Sequence, residues 1–528
     1  MATDTHGTRA AWQSFAAAAQ PALDAWEAAL ETPALVQAQR LKQLLADNRE
    51  SAFGREHGFA DIADVTRFRE RVPVRDYVGL SPWIERAQRD TQAVLTAQPP
   101  QFFERTSGNS AQQKLIPYTP AFLAEMQQAL TVWLADLYRQ LPQIGAGRAY
   151  WSMSPPLQTQ GRAPNGIAIG STSDLDYLGG SLIAGLAPTL LIPPLGHDDV
   201  SAWRRQTLLA LIAADDLAFI SVWSPTFLTS LLRPLFDADA PEHAETLAWL
   251  DATLAAQRKI ALKQAFATGT CDALWPQLAA VSCWMDGPSR QYAAQLRERF
   301  PHVRWLPKGL FATEAVISLP FSSGAGCPLA IESHFLEFLF DDGNVRDADA
   351  LKPGDTAQVI VTTGGGLYRY ALGDRVRVAS MAGRTPRVEF VGRSATQSDL
   401  VGEKLDEEML DALLSVVLDG HDSACVAPCA AGEPPHYMML IATAEPRNAE
   451  AIRAAVEEGL MRSFHYAHAR RLGQLGPLRV RSLRGSPTRL ADALQQAAER
   501  TGVRAGDVKP RVLINRLATA DALLAMTA

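Results

Sequence analysis

Residues Leu217–Phe236 read LAFISVWSPTFLTSLLRPLF, and this stretch decides the fold class. LAFISVW is a short apolar run typical of a buried strand, and SPTFLTSLLRPLF is a longer stretch typical of a helix. The same alternation extends from about Trp151 to Pro320 and includes the strand-like run TLLIPPL at residues 189–195. The pattern predicts an α/β domain.

The chain ahead of this region is predicted to be mainly helical. In ETPALVQAQRLKQLLADN, Thr32 is expected to cap a helix and Pro33 to occupy its first turn.

After Leu351 the pattern changes, because AQVIVTT, RVRVAS and RVEFVGR are short β-rich segments divided by turn-forming residues. They predict a strand meander. Helical and strand patterns alternate again from about Arg393, in KLDEEMLDALLSVVL, HYMMLIATA, NAEAIRAAVEEGLMRSF and PLRVRSL. We therefore predict a large α/β domain with mixed sheets and helices at residues 1–392, and a small α+β domain at residues 393–528.

The composition is that of a globular protein, with 47% hydrophobic and 20% charged residues. A net charge of −7 without a basic block argues against a nucleic-acid or anionic-membrane partner. The N-terminus has neither the basic head nor the apolar run of a signal peptide, and charges interrupt the longest apolar runs. The five cysteines lack the spacing of a zinc site, so we expect free buried thiols and a cytoplasmic location.

The stretch RTSGNSAQQK at residues 105–114 is a candidate phosphate loop. Ser107 and Ser110 offer hydroxyl donors, Gly108 lets backbone amides approach an anion, and Lys114 could offset phosphate charge. The stretch is not a Walker loop, and a Ser/Gly/Asn-rich segment taken alone is more often an ordinary turn.

Two acidic residues are candidates for nucleotide binding. Glu314 follows Thr313 in GLFATEA, after the strand-like HVRWLP, and a carboxylate there could hold Mg²⁺ against phosphate oxygens. Asp374 follows a glycine run in GGGLYRYALGDRVRV, at a predicted turn before a strand, and could accept ribose hydroxyls. The alternatives are a solvated loop glutamate and a turn-capping aspartate.

Three cations are further candidates. Arg393 and Lys404 flank the predicted domain junction, where they could reach phosphate or ribose. Lys509 lies in a loop between glycine and proline near the C-terminus, where a lone lysine is usually just solvated. The sequence contains no G-x-S-x-G elbow, no H-E-x-x-H and no G-x-G-x-x-G after a strand that would indicate a rival chemistry.

These features, in this order, resemble the adenylate-forming ligases. More narrowly, the chain is similar to the Gretchen Hagen, or auxin-responsive promoter, family of acyl acid amido synthetases and their bacterial members. The resemblance rests on FGREHGFADIADVTRFRERVPVRDYVGLSPWIER, and on KLIPYT, YRYALGD, FVGR, GEK and KPR in that order, and it spans about residues 35 to 515.

The resemblance implies a two-step ligase that uses ATP and Mg²⁺. A carboxylate attacks the α-phosphate of ATP, giving an acyl-adenylate and pyrophosphate. An amine, typically that of an amino acid, then attacks the activated carbonyl and gives an amide and AMP. The implied partners are a small-molecule carboxylic acid and an amine acceptor, and the small domain is expected to rotate between the two steps.

The resemblance also assigns roles, residue by residue. Ser107, Gly108, Asn109 and Ser110 would bind phosphate. Glu314 would bind Mg²⁺, and Thr313 would lie beside the α-phosphate. Asp374 would bind the ribose hydroxyls with the help of Arg393. Lys404 and Lys509 would be cations of the small domain, and Lys509 would move toward the α-phosphate during adenylation.

The candidate phosphate loop departs from the family pattern S-G-T-S-x-G-x-x-K. Asn109 replaces a threonine, the second glycine is missing and the loop is one residue shorter. Asparagine keeps hydrogen-bond donors, but a shorter loop with one glycine is expected to fit the β- and γ-phosphates less freely. Two alternatives stay open: an adenylating ligase with a thiol, alcohol or other acceptor, and a non-catalytic relative that binds a carboxylate or nucleotide.

Overall fold

The computed structural model describes residues 5–106, 114–152, 161–170, 185–192, 200–321, 324–393, 397–418, 422–443, 449–483, 488–503 and 505–527. Within them the α-helices are α1 Thr5–Ala29, α2 Pro33–Asn48, α3 Ala52–Glu56, α4 Val65–Arg71, α5 Tyr77–Arg89, α6 Pro120–Gln140, α7 Val200–Ala213, α8 Pro225–Phe236, α9 His243–Thr253, α10 Ala256–Thr268, α11 Ser289–Arg297, α12 Glu407–Val417, α13 Ala449–Leu460, α14 Phe464–Arg471, α15 Arg489–Arg500 and α16 Leu517–Met526.

The strands in the same residues are β1 Phe102–Arg105, β2 Leu115–Tyr118, β3 Arg148–Trp151, β4 Gly161–Arg162, β5 Ala168–Ile169, β6 Leu190–Leu191, β7 Leu217–Ser221, β8 Ala280–Ser282, β9 Arg304–Leu306, β10 Cys327–Pro328, β11 Phe335–Leu339, β12 Val345–Asp347, β13 Thr356–Thr362, β14 Tyr370–Ala382, β15 Thr385–Arg393, β16 Gln397–Ser398, β17 Leu405–Asp406, β18 Ser423–Cys429, β19 His436–Ala442 and β20 Arg479–Leu483.

The chain forms two compact units. Unit 1 comprises Met1–Ala146, Gln158–Thr189 and Lys308–Ser394, and unit 2 comprises Gly147–Leu157, Leu190–Pro307 and Ala395–Ala528. Among the described helices of both units, none is long and apolar enough to cross a membrane.

Unit 1 contains two sheets. The larger is antiparallel throughout, in the order β10-β15-β14-β13-β11-β12, so the predicted meander of β13, β14 and β15 is confirmed. The smaller has the order β2-β1-β5-β4. Helix α2 begins at Pro33 as predicted, but the expected cap is wrong, because the Thr32 side chain makes no capping hydrogen bond.

Unit 2 is built on a parallel sheet in the order β6-β3-β7-β8-β9, with helices packed against it. The stretch Leu217–Phe236 supplies central strand β7, whose residues are all buried, and then helix α8. A strand covered on both faces is apolar at every position rather than at alternate ones, which explains the continuous run LAFIS. The predicted α/β class is confirmed.

The C-terminal part of unit 2 has a three-stranded sheet, β18-β19-β20, with the predicted helices α12 and α13. Its helix α15 packs on α8 through polar groups: Ser230 donates a hydrogen bond of 2.7 Å to Asp492, and Thr226 donates one of 3.0 Å to Gln495. In this conformation the segment from Ala395 onward therefore shares a unit with the parallel sheet. Its rotation as a separate small domain stays a prediction.

Candidate active site

The candidate phosphate loop connects two paired strands. Strands β1 and β2 are antiparallel, and the Thr106 amide donates a 3.1 Å hydrogen bond to the Lys114 carbonyl. The predicted phosphate-binding residues, Ser107, Gly108, Asn109 and Ser110, lie between these two points and outside the described residues. Their role stays a prediction, but the ends of their loop are fixed by the strand pair.

Thr313 and Glu314 are the central residues of a tight turn. Ala312 and Ala315 exchange backbone hydrogen bonds of 2.9 and 3.3 Å across it, and the Tyr118 hydroxyl donates one of 2.9 Å to the Thr313 carbonyl. Glu314 is only 6% exposed, so it is not a solvated loop residue. Within the described part of the chain its carboxylate forms no hydrogen bond or ion pair. A buried carboxylate without protein donors is costly unless a group from outside the protein compensates its charge.

Asp374 and Arg393 form a cross-strand ion pair. They lie opposite each other on β14 and β15, with 2.6 Å between Nε of Arg393 and Oδ1 of Asp374. Charge attraction from Asp374, assisted by Glu314, raises the pKa of Arg393, although burial opposes it. The predicted turn is wrong: Asp374 lies inside β14, and Gly373, at φ 87°, produces an irregularity within the strand rather than a turn before it.

Tyr370 connects the acidic turn with the ion pair. It is fully buried, and burial together with the charge of Glu314 raises the pKa of its phenol, so the hydroxyl stays protonated. Lys114 Nζ donates a 3.4 Å hydrogen bond to this hydroxyl. Burial and nearby carboxylates, Glu314 among them, also raise the pKa of Tyr118. The charge of Glu314 thus influences the pKa of both phenols and of the Arg393 guanidinium.

The two tyrosines were missed as site residues by the sequence analysis. Their signal was present, because Tyr118 lies in KLIPYT and Tyr370 in YRYALGD. Sequence alone does not show that both phenols are buried and lie within the influence of the Glu314 charge.

The remaining predicted cations, Lys404 and Lys509, lie in unit 2. Lys404 is exposed and has an unusual positive φ of 47°, next to the fully buried Glu403. Lys509 is in a loop, as predicted, but the expectation that it is exposed is wrong. It is half-buried, with Nζ 5.9 Å from the ring centroid of Trp284. The structure thus groups Thr313, Glu314, Asp374 and Arg393 in unit 1 and both lysines in unit 2.

A magnesium ion at Glu314 would need oxygen ligands from the substrate. Among the described residues, no group of three or more His, Cys, Asp or Glu side chains is arranged to hold a metal ion. Mg²⁺ commonly binds one or two carboxylates and completes its shell with phosphate oxygens and water. The single, unpaired carboxylate of Glu314 fits that mode.

Family models match most of the chain. The N-terminal domain of the GH3 family matches residues 22–305, its central domain residues 327–393 and its C-terminal domain residues 411–518.

Curated relatives are similar over much of their length. The probable indole-3-acetic acid-amido synthetase GH3.12 of Oryza sativa subsp. japonica is 25% identical over 433 residues, which is 68% of each chain. The jasmonoyl-L-amino acid synthetase JAR6 of Nicotiana attenuata is 22% identical and is matched over 84% of this chain and 85% of its own.

Solved structures share the fold. The GH3.15 acyl acid amido synthetase in complex with 2,4-DB is 18% identical, with a TM-score of 0.79 over 96% of both chains. A 2-hydroxyisobutyryl-CoA ligase in the postadenylation state is 13% identical, with a TM-score of 0.54 over 93% of this chain and 91% of its own. The likeness shows that the chain has the fold of adenylate-forming ligases.

Proposed function

The chain belongs to the GH3 family, and on that premise we propose that it is an acyl acid amido synthetase. It activates a carboxylic acid with ATP as an acyl-adenylate and transfers the acyl group to the amine of an amino acid. The observation that carries the proposal is the buried, unpaired carboxylate of Glu314, grouped with the Asp374–Arg393 ion pair.

The reaction needs both steps because a carboxylate is a poor electrophile. In the first step a carboxylate oxygen forms a bond to the α-phosphorus, and the bond to pyrophosphate breaks. In the second step the amine nitrogen forms a bond to the carbonyl carbon, AMP leaves with the bond electrons, and the nitrogen loses a proton. Charge develops on phosphate oxygens in the first step, so fixed cations and hydroxyl donors lower its barrier.

The Asp374–Arg393 ion pair leaves one carboxylate oxygen of Asp374 available to bind the ribose of ATP. Oδ1 of Asp374 accepts from Arg393 Nε, while its other carboxylate oxygen has no hydrogen-bond partner among the described residues. That oxygen is proposed to accept the ribose hydroxyls, and Arg393 both orients the carboxylate and offsets its charge. Because the pair is on paired strands, its geometry is set before ATP binds.

The acidic turn is proposed to contact the phosphates. Glu314 would hold Mg²⁺, which offsets negative charge on phosphate oxygens when bound. Thr313 is proposed to lie beside the α-phosphate, and Ser107, Gly108, Asn109 and Ser110 to bind the phosphate chain. The proposed roles of Lys404 and Lys509 are those of cations supplied by unit 2.

The substrates are proposed as classes. Relatives are named for conjugating indole-3-acetic acid and a jasmonoyl group. We accordingly propose a small organic acid as the acyl donor and a free amino acid as the acceptor.

The proposal is tested by acid-dependent pyrophosphate release. The folded protein is incubated with Mg·ATP and a panel of aryl, indole, oxylipin and fatty acids, and we expect at least one acid to release pyrophosphate. Asp374→Ala should abolish the release, whereas Arg377→Ala, which removes an exposed arginine from the same strand, should not. Amino acids are then added one at a time, and the expected product is an amide with AMP.

Two outcomes would overturn parts of the proposal. If no acid of the panel releases pyrophosphate, the chain is not an adenylating ligase of these acids, and a binding-only relative is indicated. If pyrophosphate is released and only a thiol or an alcohol accelerates AMP formation, the amide-forming step is wrong.

A further inference from the structure

A buried carboxylate, Glu125 on α6, connects three other segments of unit 1. Both of its oxygens accept hydrogen bonds from the Gly364 amide, at 2.9 and 3.0 Å. One oxygen also accepts from the Arg40 guanidinium, and the other lies 2.8 Å from Nδ1 of His334. The Glu125 side chain is only 4% exposed and that of His334 is fully buried. A charge at this depth is costly unless it is compensated, and the Arg40 guanidinium and the Gly364 amide compensate that of Glu125.

His334 joins this carboxylate to the acidic turn. The Val316 amide, two residues after Glu314, donates a 3.0 Å hydrogen bond to Nε2 of His334. Because Nε2 accepts, the proton of the neutral ring is on Nδ1, the nitrogen that faces Glu125. The contact between Nδ1 and the carboxylate is short but not aligned as a hydrogen bond, so the N–H dipole of the neutral ring interacts with the negative charge of Glu125 without a formal hydrogen bond.

Gly364 joins the same carboxylate to the strand that carries the ion pair. It opens the run of three glycines that precedes Tyr368–Tyr370, and its amide is the one that Glu125 binds. A side chain at Gly364 would place Cβ 2.6 Å from Oε1 of Glu125, so the backbone approaches the carboxylate as closely as glycine allows. The Thr119 hydroxyl also donates to the Gly364 carbonyl at 2.7 Å.

Glu125 is therefore connected to both halves of the candidate site without touching Glu314 or Asp374. On one side it reaches the turn of Glu314 through His334, and on the other it holds the glycine run that leads into β14 and Asp374. An apolar core could fill the same volume without the cost of burying charge. Only polar side chains such as Glu125 and His334 can accept hydrogen bonds from the backbone amides of Gly364 and Val316.

We propose that Glu125 and His334 are positioning residues for the nucleotide site, and that they fix the spacing between Glu314 and the strand carrying Tyr370 and Asp374. The inference rests on the proposed function, because it assigns that spacing to the binding of Mg·ATP. Partners that orient groups at a metal or phosphate site typically change affinity or activity by about 10- to 100-fold when they are removed.

The test compares two substitutions of His334 with a matched control. His334→Phe keeps a flat ring that can stack on Phe122, whose ring lies 5.7 Å away, but removes both nitrogens. His334→Gln keeps an acceptor for the Val316 amide and an N–H group that can point toward Glu125. The control is His243→Gln, which changes a half-buried histidine of unit 2. The probe is Mg·α,β-methylene-ATP, which cannot be cleaved at the bond that adenylation breaks, and its Kd is measured by titration calorimetry.

We expect His334→Phe to raise the Kd of the probe at least about tenfold. His334→Gln should restore most of the affinity, and the control should match the wild type. In turnover, the KM for Mg·ATP should rise while the KM for the acid stays unchanged. Glu125→Gln provides a second variant if His334→Phe does not fold, and it should weaken probe binding in the same sense.

The outcomes separate this inference from the proposed function. If the wild type binds the probe and His334→Phe binds it equally well per folded molecule, the pair is merely structural and the inference is wrong. Failure of glutamine to restore binding would argue for the same conclusion. If the wild type does not bind the probe at all, the proposed function fails and the inference falls with it.

Discussion

The Asp374–Arg393 ion pair allows a quantitative test of how the candidate site is held. Arg393→Ala would remove the single hydrogen-bonding partner of the Asp374 carboxylate among the described residues and leave a buried charge, since Asp374 is only 2% exposed. Breaking a buried ion pair from one side typically costs about 3–5 kcal/mol. The Arg393 side chain is 26% exposed, so water can enter the space it leaves, and we expect a loss of about 2–3 kcal/mol in unfolding free energy.

The same two strands offer a matched control. Arg377 on β14 pairs across to Glu389 on β15 at 2.8 Å, but these side chains are 51% and 27% exposed. An ion pair exposed to this degree contributes about 0–1 kcal/mol, so Arg377→Ala should cost less than about 1 kcal/mol. A double variant, Asp374→Asn with Arg393→Ala, removes the unpaired buried charge of Asp374. It should recover about half of the unfolding free energy that Arg393→Ala alone loses.

The measurement has to report the stability of unit 1 separately from that of unit 2. Because a chain with two compact units need not unfold in a single transition, thermal denaturation is combined with hydrogen exchange of the amides of β14 and β15. We expect faster exchange there in Arg393→Ala, close to wild-type exchange in Arg377→Ala, and an intermediate rate in the double variant. Equal losses of stability in the two arginine variants would refute the argument that an unpaired buried charge destabilises Arg393→Ala. A double variant as unstable as Arg393→Ala would refute it as well.

Three further predictions address other parts of the molecule. Gly366→Ala should lower the free energy of unfolding by about 2–4 kcal/mol, because its φ is 88° and the new Cβ would lie 2.7 Å from the Leu95 side chain. The control Gly354→Ala, at φ 94° in open space, should lower it by only about 1 kcal/mol. Equal Tm shifts for the two variants would contradict this prediction. Burial raises the pKa of Asp411 to about 6, so the folded state binds its proton more tightly than the unfolded chain and stability falls as the pH rises from about 4 to about 6. Asp411→Asn should accordingly raise the free energy of unfolding relative to the wild type by roughly 1–2 kcal/mol at about pH 8, measured as a higher Tm, and leave it unchanged at about pH 4. Lys509→Ala should slow pyrophosphate release about 100-fold without unfolding the protein, because it removes a cation proposed to offset phosphate charge from a half-buried loop position. A loss of Tm that matches the loss of activity would argue for a structural role.

The secondary structure was predictable where it depends on local pattern. Strand β7 and helix α8 follow from the run and spacing in Leu217–Phe236, and the meander β13–β15 follows from β-branched runs separated by turns. The predictions of local structure were wrong where one sequence signal is compatible with more than one structure. Glycine before Asp374 suggested a turn, but Gly373 is accommodated inside a long strand because β13 pairs with β14 on both sides of it, at Ala371 and Arg375. Thr32 is at the correct position for a cap, but its side chain makes no bond there.

The candidate site was predictable in its members and not in its contacts. Glu314, Asp374 and Arg393 were identified one motif at a time, and the structure brings them together. Nothing in the sequence indicates that Glu314 is buried without a protein donor, that its charge raises the pKa of Tyr118 and Tyr370, or that Lys509 is half-buried near an indole. Burial depends on which elements pack together, and that is decided by residues far apart in the chain.

The sequence by itself determined the α/β class, the order of the site motifs and, through them, the family, because hydrophobic period, turn residues and motif order are all local properties. Only the tertiary structure decided which charges meet. The register of β14 against β15 places Asp374 opposite Arg393, and packing of α6 against the glycine run brings Glu125 to the Gly364 amide. Register and packing minimise the free energy of the whole unit rather than of any one segment, so no segment encodes them alone.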